Sequence, residues 1–162
     1  MPLDPNPLTI DDINFLLHLI DYGPLTYDQL ILWAYTQHFA TNTPEWLIKL
    51  SEVNCLEQAS ILLKDDFKVD GDIEIDLEVG ELAFFYADNG IELQSFVSEL
   101  YRVVCWPNQA HPLKESIAMA DELFECHCHC QTKIEQLLLL PLEPYHLAYK
   151  LRVQKLLGFN FI

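Results

Sequence analysis

Apolar positions recur at helical spacing over most of this chain. Ile10, Ile13, Leu16, Leu17 and Ile20 follow the three- and four-residue steps that put side chains on one face of an α-helix. Thr9 precedes them and Asp12 falls three residues later, the pattern of a capping box with Asp in place of Glu. Tyr22-Gly23-Pro24 ends that helix. Thr26 opens a second, through Leu30, Ile31, Trp33 and Ala34 to about Phe39. Thr43-Pro44 reads as an N-cap and first-turn pair for a third helix with Trp46, Leu47 and Leu50. A short fourth is expected from Leu56 to Leu63.

The stretch Val69 to Val79 breaks the period. Ile73, Ile75, Leu77 and Val79 alternate with Asp72, Glu74, Asp76 and Glu78, as on a half-buried strand. The tail Gly158 to Ile162 offers itself as a pairing partner, and the stretch can equally lead straight into a helix over Glu81 to Asp88. Extended structure followed by that helix is the expectation. After the turn Asn89-Gly90, Leu93, Phe96, Val97, Leu100, Tyr101 and Val104 form the clearest amphipathic series, broken by Trp106-Pro107-Asn108. A long helix is then expected from Leu113 to Leu139, with Pro141 and Pro144 separating it from a last helix near Tyr145 to Leu157. The pattern predicts a mostly α, multi-helix bundle, one domain over 1–162, with at most one short extended segment near 69–79.

Composition adds a strong sign. The formal net charge is −16 over 162 residues. No Lys or Arg precedes Lys49, and Asp65 to Glu99 holds eleven carboxylates against one cation, Lys68. After Glu143 no side-chain carboxylate follows, and Lys150, Arg152 and Lys155 make the end mildly basic. Such a charge argues against direct nucleic-acid or anionic-membrane binding, which need clustered cations, and favours a basic partner. No apolar run approaches the length of a membrane span, and the first residues have no secretory pattern. With an odd count of five cysteines, a reducing cytoplasm is the expected setting.

The acidic ladder is the leading candidate surface. Asp70, Asp72, Glu74, Asp76 and Glu78, with Asp88 and Glu92, are expected to engage a basic protein, because aligned like charges repel until a partner supplies cations. A solvated strand face is the plainer reading. A calcium loop does not fit: aligned on Gly71, the third ligand position is Lys68 and the twelfth Leu77.

Cys126-His127-Cys128-His129-Cys130 invites a zinc reading. Tetrahedral zinc sites draw on separated ligand pairs, and five consecutive candidates on a helix point five ways. Cys126 and Cys130 share an apolar arc with Met119, Leu123, Ile134 and Leu137, so core packing is the favoured reading. In the metal reading Cys126, His127 and Cys130 bind zinc, with a fourth ligand from His111, His146 or Cys105. No cofactor is expected otherwise, and no nucleophile elbow, phosphate loop or His-Glu-x-x-His motif nominates a catalytic residue. The three tryptophans are read as core, with Trp106, in a loop beside Pro107, as an alternative partner anchor.

The segments Leu25 to Ala34, Gly80 to Tyr86 and Phe96 to Tyr101 resemble small acidic helical bacterial proteins that act as immunity proteins in toxin systems. The resemblance implies a non-enzymatic binding protein that neutralises a basic partner such as a toxin, and it transfers no individual site residue. The competing functions are a metal-binding regulator or enzyme built on Cys126 and Cys130, and a nucleic-acid mimic that blocks a DNA- or RNA-binding protein.

Overall fold

Two threonines set the first two helices. In the computed structural model, which describes residues 8–38, 42–88, 90–126 and 131–158, α1 spans Ile10–Asp21 and α2 Tyr27–Thr36. Thr9 Oγ1 accepts the Asp12 N–H at 3.1 Å while Asp12 Oδ2 accepts the Thr9 N–H at 2.9 Å. Thr26 and Gln29 repeat the exchange, so each helix starts with two of its orphan donors satisfied. α3 covers Glu45–Ser51 with Pro44, not Thr43, at the cap, and α4 runs Leu56–Phe67, one turn beyond the expected end. α5 (Ile75–Ala87), α6 (Leu93–Leu100), a π-turn over Tyr101–Cys105, α7 (Lys114–Glu125) and α8 (Gln131–Leu157) complete the order.

The fold is all-α: among the described residues there is no strand. Val69 to Glu74 is irregular, and the alternating residues from Ile75 onward are helical. The period of two is therefore not a strand's. On α5 the inward face runs through Val79 and Ala83, four residues apart. The proposed pairing tail after Gly158 lies outside the described residues, as do Asn89 of the expected turn and Phe39 at the expected end of α2.

The chain gathers into two compact units, Met1–Ile73 with Leu156–Ile162, and Glu74–Lys155, a division within the acidic stretch that no composition shift announces. In the first unit α1 packs on α4 and α2 on α3. Its core holds Phe15, Leu16, Leu17, Leu30, Trp33, Leu50 and Leu63. The Trp33 indole N–H donates to the Leu156 carbonyl at 3.0 Å. Trp33 is core as expected, while Trp46 is half-buried, edge-on to Phe67.

In the second unit α5, α6, the π-turn and α7 enclose Val79, Phe96, Val97, Leu100, Val104, Ile117, Ile134, Leu138 and Leu142. Two expectations are corrected here. The long helix from Leu113 ends at Glu125, with Cys126 as its exposed C-cap rather than a core position, and Met119 is exposed too. Conversely, Pro141 and Pro144 do not separate two helices, because α8 runs through both. Ile134, Leu138, Leu142, Tyr149 and Val153 make one buried stripe across the prolines, with Tyr145 half-buried on the same line. Each interior proline costs about 3 kcal/mol, and each such buried side chain contributes about 1.5–3 kcal/mol, so the stripe outweighs the breaks.

Candidate interaction surface

Asp70 and Asp72 sit in the irregular stretch of the first unit, both exposed. Asp70 Oδ1 accepts the Asp72 N–H at 2.9 Å, closing a turn over Gly71, whose φ of 83° suits glycine. Two residues of α1 hold this turn. Asn14 Oδ1 accepts the Gly71 N–H at 2.8 Å, and Asn14 Nδ2 donates to the Asp72 carbonyl at 2.6 Å. Buried His18 lies with Nδ1 2.9 Å from the Gly71 carbonyl. A carbonyl only accepts, so Nδ1 carries the proton. Sequence reading missed Asn14 and His18. The available signal was a pair of polar residues, four apart, among the apolar positions of α1.

The other ladder carboxylates belong to the second unit. Glu74 is the exposed N-cap residue of α5, and Asp76 and Glu78 lie in its first turn, where negative charge suits the positive end of the helix dipole. On a helix Asp76 and Glu78 point about 200° apart, so they do not form a row. Each meets a different donor side chain. Asp76 Oδ1 is 3.0 Å from His111 Nε2, and Glu78 Oε1 is 3.2 Å from Arg102 Nη2. Arg102 also binds Glu99 at 2.9 Å, the foremost reason its guanidinium is held further toward the charged form. Asp88 follows α5 as its C-cap and Glu92 precedes α6 as its N-cap, both exposed.

These contacts fasten the segment 102–111 to the start of α5, and that segment carries Trp106. The Trp106 N–H bonds the Tyr101 carbonyl at 3.3 Å, five residues back, which defines the π-turn. The Trp106 side chain is 73% exposed. The core expectation for it is thus overturned: Val103, Val104 and Leu113 are the buried residues of this region, and Trp106 between them is not. The arrangement is an exposed indole on a segment bolted to two carboxylates.

His111 is held at both ring nitrogens. The Leu113 N–H donates to its Nδ1 at 3.1 Å, so the proton sits on Nε2 and is given to Asp76. Both ring nitrogens are committed to shaping the loop before α7. Deeper in this unit the Tyr149 hydroxyl donates to the carboxylate of buried Glu81 at 3.0 Å. Burial first, then the Glu81 charge, drives the Tyr149 pKa upward. Burial and a hydrogen bond to Glu135 push Tyr86 up to about 12, and that bond holds the Glu135 carboxyl below its usual range.

The metal reading gains no assembled ligand set. Among the described residues no three His, Cys, Asp or Glu side chains cluster for a metal. His127 and Cys130 lie outside the described residues. Of the proposed fourth ligands, His111 is held by Asp76, His146 packs edge-on to Phe84, and the Cys105 thiol lies 3.8 Å from the Lys114 carbonyl. Burial pushes the Cys105 thiol pKa up, away from the thiolate a metal needs. Among the described residues no helix is long and apolar enough to cross a membrane. Comparison with protein-family models, curated proteins and solved structures finds no match to this chain.

Proposed function

We propose that this chain is a non-enzymatic module that binds a basic protein, as an immunity protein binds a toxin. The observation that carries the reading is exposed Trp106 on a segment tied through Arg102 and His111 to the acidic start of α5. A large exposed aromatic supplies contact area, and surrounding carboxylates steer a cationic partner and select against acidic ones. The net charge of −16 extends that attraction beyond the contact.

The tagged chain is used to capture partners from its source cells at about 0.05 and 0.5 M NaCl, a range over which screening shortens from roughly 14 to 4 Å. Trp106→Ala, and separately Glu74→Gln with Asp88→Asn and Glu92→Gln, are run beside the unaltered chain. A basic protein is expected that is lost at high salt and reduced in both variants. Equal recovery from all three chains at both salts rejects the reading.

A further inference from the structure

α8 carries a second apolar row that its own unit does not cover. Leu140, Pro144, Leu147 and Leu151 step along the helix by four, three and four residues, and all are exposed, the leucines by 76%, 56% and 55%. In heptad terms they fill the a and d positions of a coiled-coil seam. The buried Leu142 and Tyr149 then take the f position, facing away from the seam into the unit's own core. Two hollows border the row. One, of about 370 Å³, lies along Ala83, Ala87, Leu139, Glu143 and His146, and the other, of about 290 Å³, along Asp76, Leu77, Tyr145 and Ala148.

We propose that this row is a self-association seam, closed by α8 of a second copy lying antiparallel across it. With the two-fold axis between Tyr145 and His146, Leu140 meets the partner's Leu151 and Pro144 meets the partner's Leu147. The g positions of the heptad are Glu143 and Lys150, both exposed. The same register sets Glu143 opposite the partner's Lys150, and symmetry makes that pair twice. Neither residue joins an ion pair within the chain among the described residues. Between Leu140 and Leu151 the e positions are Pro141 and Ala148, neither of them charged. A parallel pairing sets Glu143 across from the partner's Ala148 and Lys150 across from the partner's Lys155, so it loses both attractions and adds a repulsion. Charge along α8 therefore selects a second copy in one orientation.

The seam is about 17 Å long, from the rise of 1.5 Å per residue, and buries less than a standard interface. Two copies of net charge −16 also repel, though screening limits that to roughly 8 Å at 0.15 M salt. A weak dimer follows, with Kd on the order of 10–100 µM.

The test is sedimentation of the full chain from about 5 µM to 1 mM, with thiols kept reduced, at 0.15 M NaCl. Glu143→Lys and Lys150→Glu are each expected to weaken dimerisation at least about fivefold, since two attractive pairs become repulsive, and the double variant to return within about twofold of the unaltered chain. Leu147→Asp is expected to abolish the dimer; circular dichroism checks that each variant stays helical. A chain that stays monomeric at 1 mM overturns the proposal. Single exchanges without effect, or a double exchange that fails to restore association, overturn it as well. The readout uses purified protein only, so it stands or falls independently of the basic partner.

Discussion

At Gly80 two helix backbones meet. A Cβ built there would lie 2.3 Å from the Tyr145 carbonyl oxygen and 2.8 Å from the Tyr149 Cβ. The obstacle is backbone, which cannot turn aside as a flexible side chain does. Gly80→Ala is therefore expected to cost about 1–3 kcal/mol or more, read as a lower urea midpoint with helix content kept. An unchanged midpoint means that α5 and α8 are not in this close contact. Tyr86 makes a different prediction. Its phenol is pushed up to about 12 from an ordinary value of 10, so the fold favours the neutral form. That contribution is whole below about pH 10 and drains away as pH rises toward about 12. Between those values stability should fall less steeply in Tyr86→Phe than in the unaltered chain, with the raised Tyr149 common to both. Identical slopes by thermal melting would remove Tyr86 from the pH response. Neither role was legible beforehand: in the sequence Gly80 and Tyr86 are only the two ends of one helical segment, and what each meets lies elsewhere in the chain.

Among the elements α8 departs most from its sequence signals. The proline nitrogens withhold hydrogen bonds from the Leu137 and Leu140 carbonyls, four residues back. Restoring a donor at the half-buried Pro141 should stabilise the helix, so Pro141→Ala is expected to raise stability by about 1–3 kcal/mol in urea titration. A loss of stability instead would show that the ring's own packing matters more than the missing bond. The capped helices behaved otherwise. Thr9 with Asp12 and Thr26 at the start of α2 were readable because a cap is a contact between residues three apart. The acidic stretch misled for the opposite reason. A period of two over Asp72 to Val79 is also what a helix N-terminus shows when acids at 74, 76 and 78 favour its dipole while Ile75 and Val79 turn inward. Which period wins depends on the elements that cover it.

For the molecule as a whole, 25 carboxylates face 9 cationic side chains, and the surplus opposes compactness. Raising NaCl from about 0.05 to 0.5 M should screen this repulsion and lift the melting midpoint by about 2–5 °C, even though it weakens pairs such as Glu78 with Arg102. A midpoint that falls with salt would mean that the ion pairs outweigh the net charge. The mostly helical architecture, the first two caps, the excess of acid and the amphipathic face of α6 were determined by sequence alone, because each is local or additive along the chain. The division at Ile73, the exposure of Trp106 and Cys126, the passage of α8 through two prolines and the turn held by Asn14 and His18 were decided only in three dimensions. Each depends on whether a distant surface fills the space beside a residue. Helical periodicity tells which side chains share a face; it does not tell which faces find a partner.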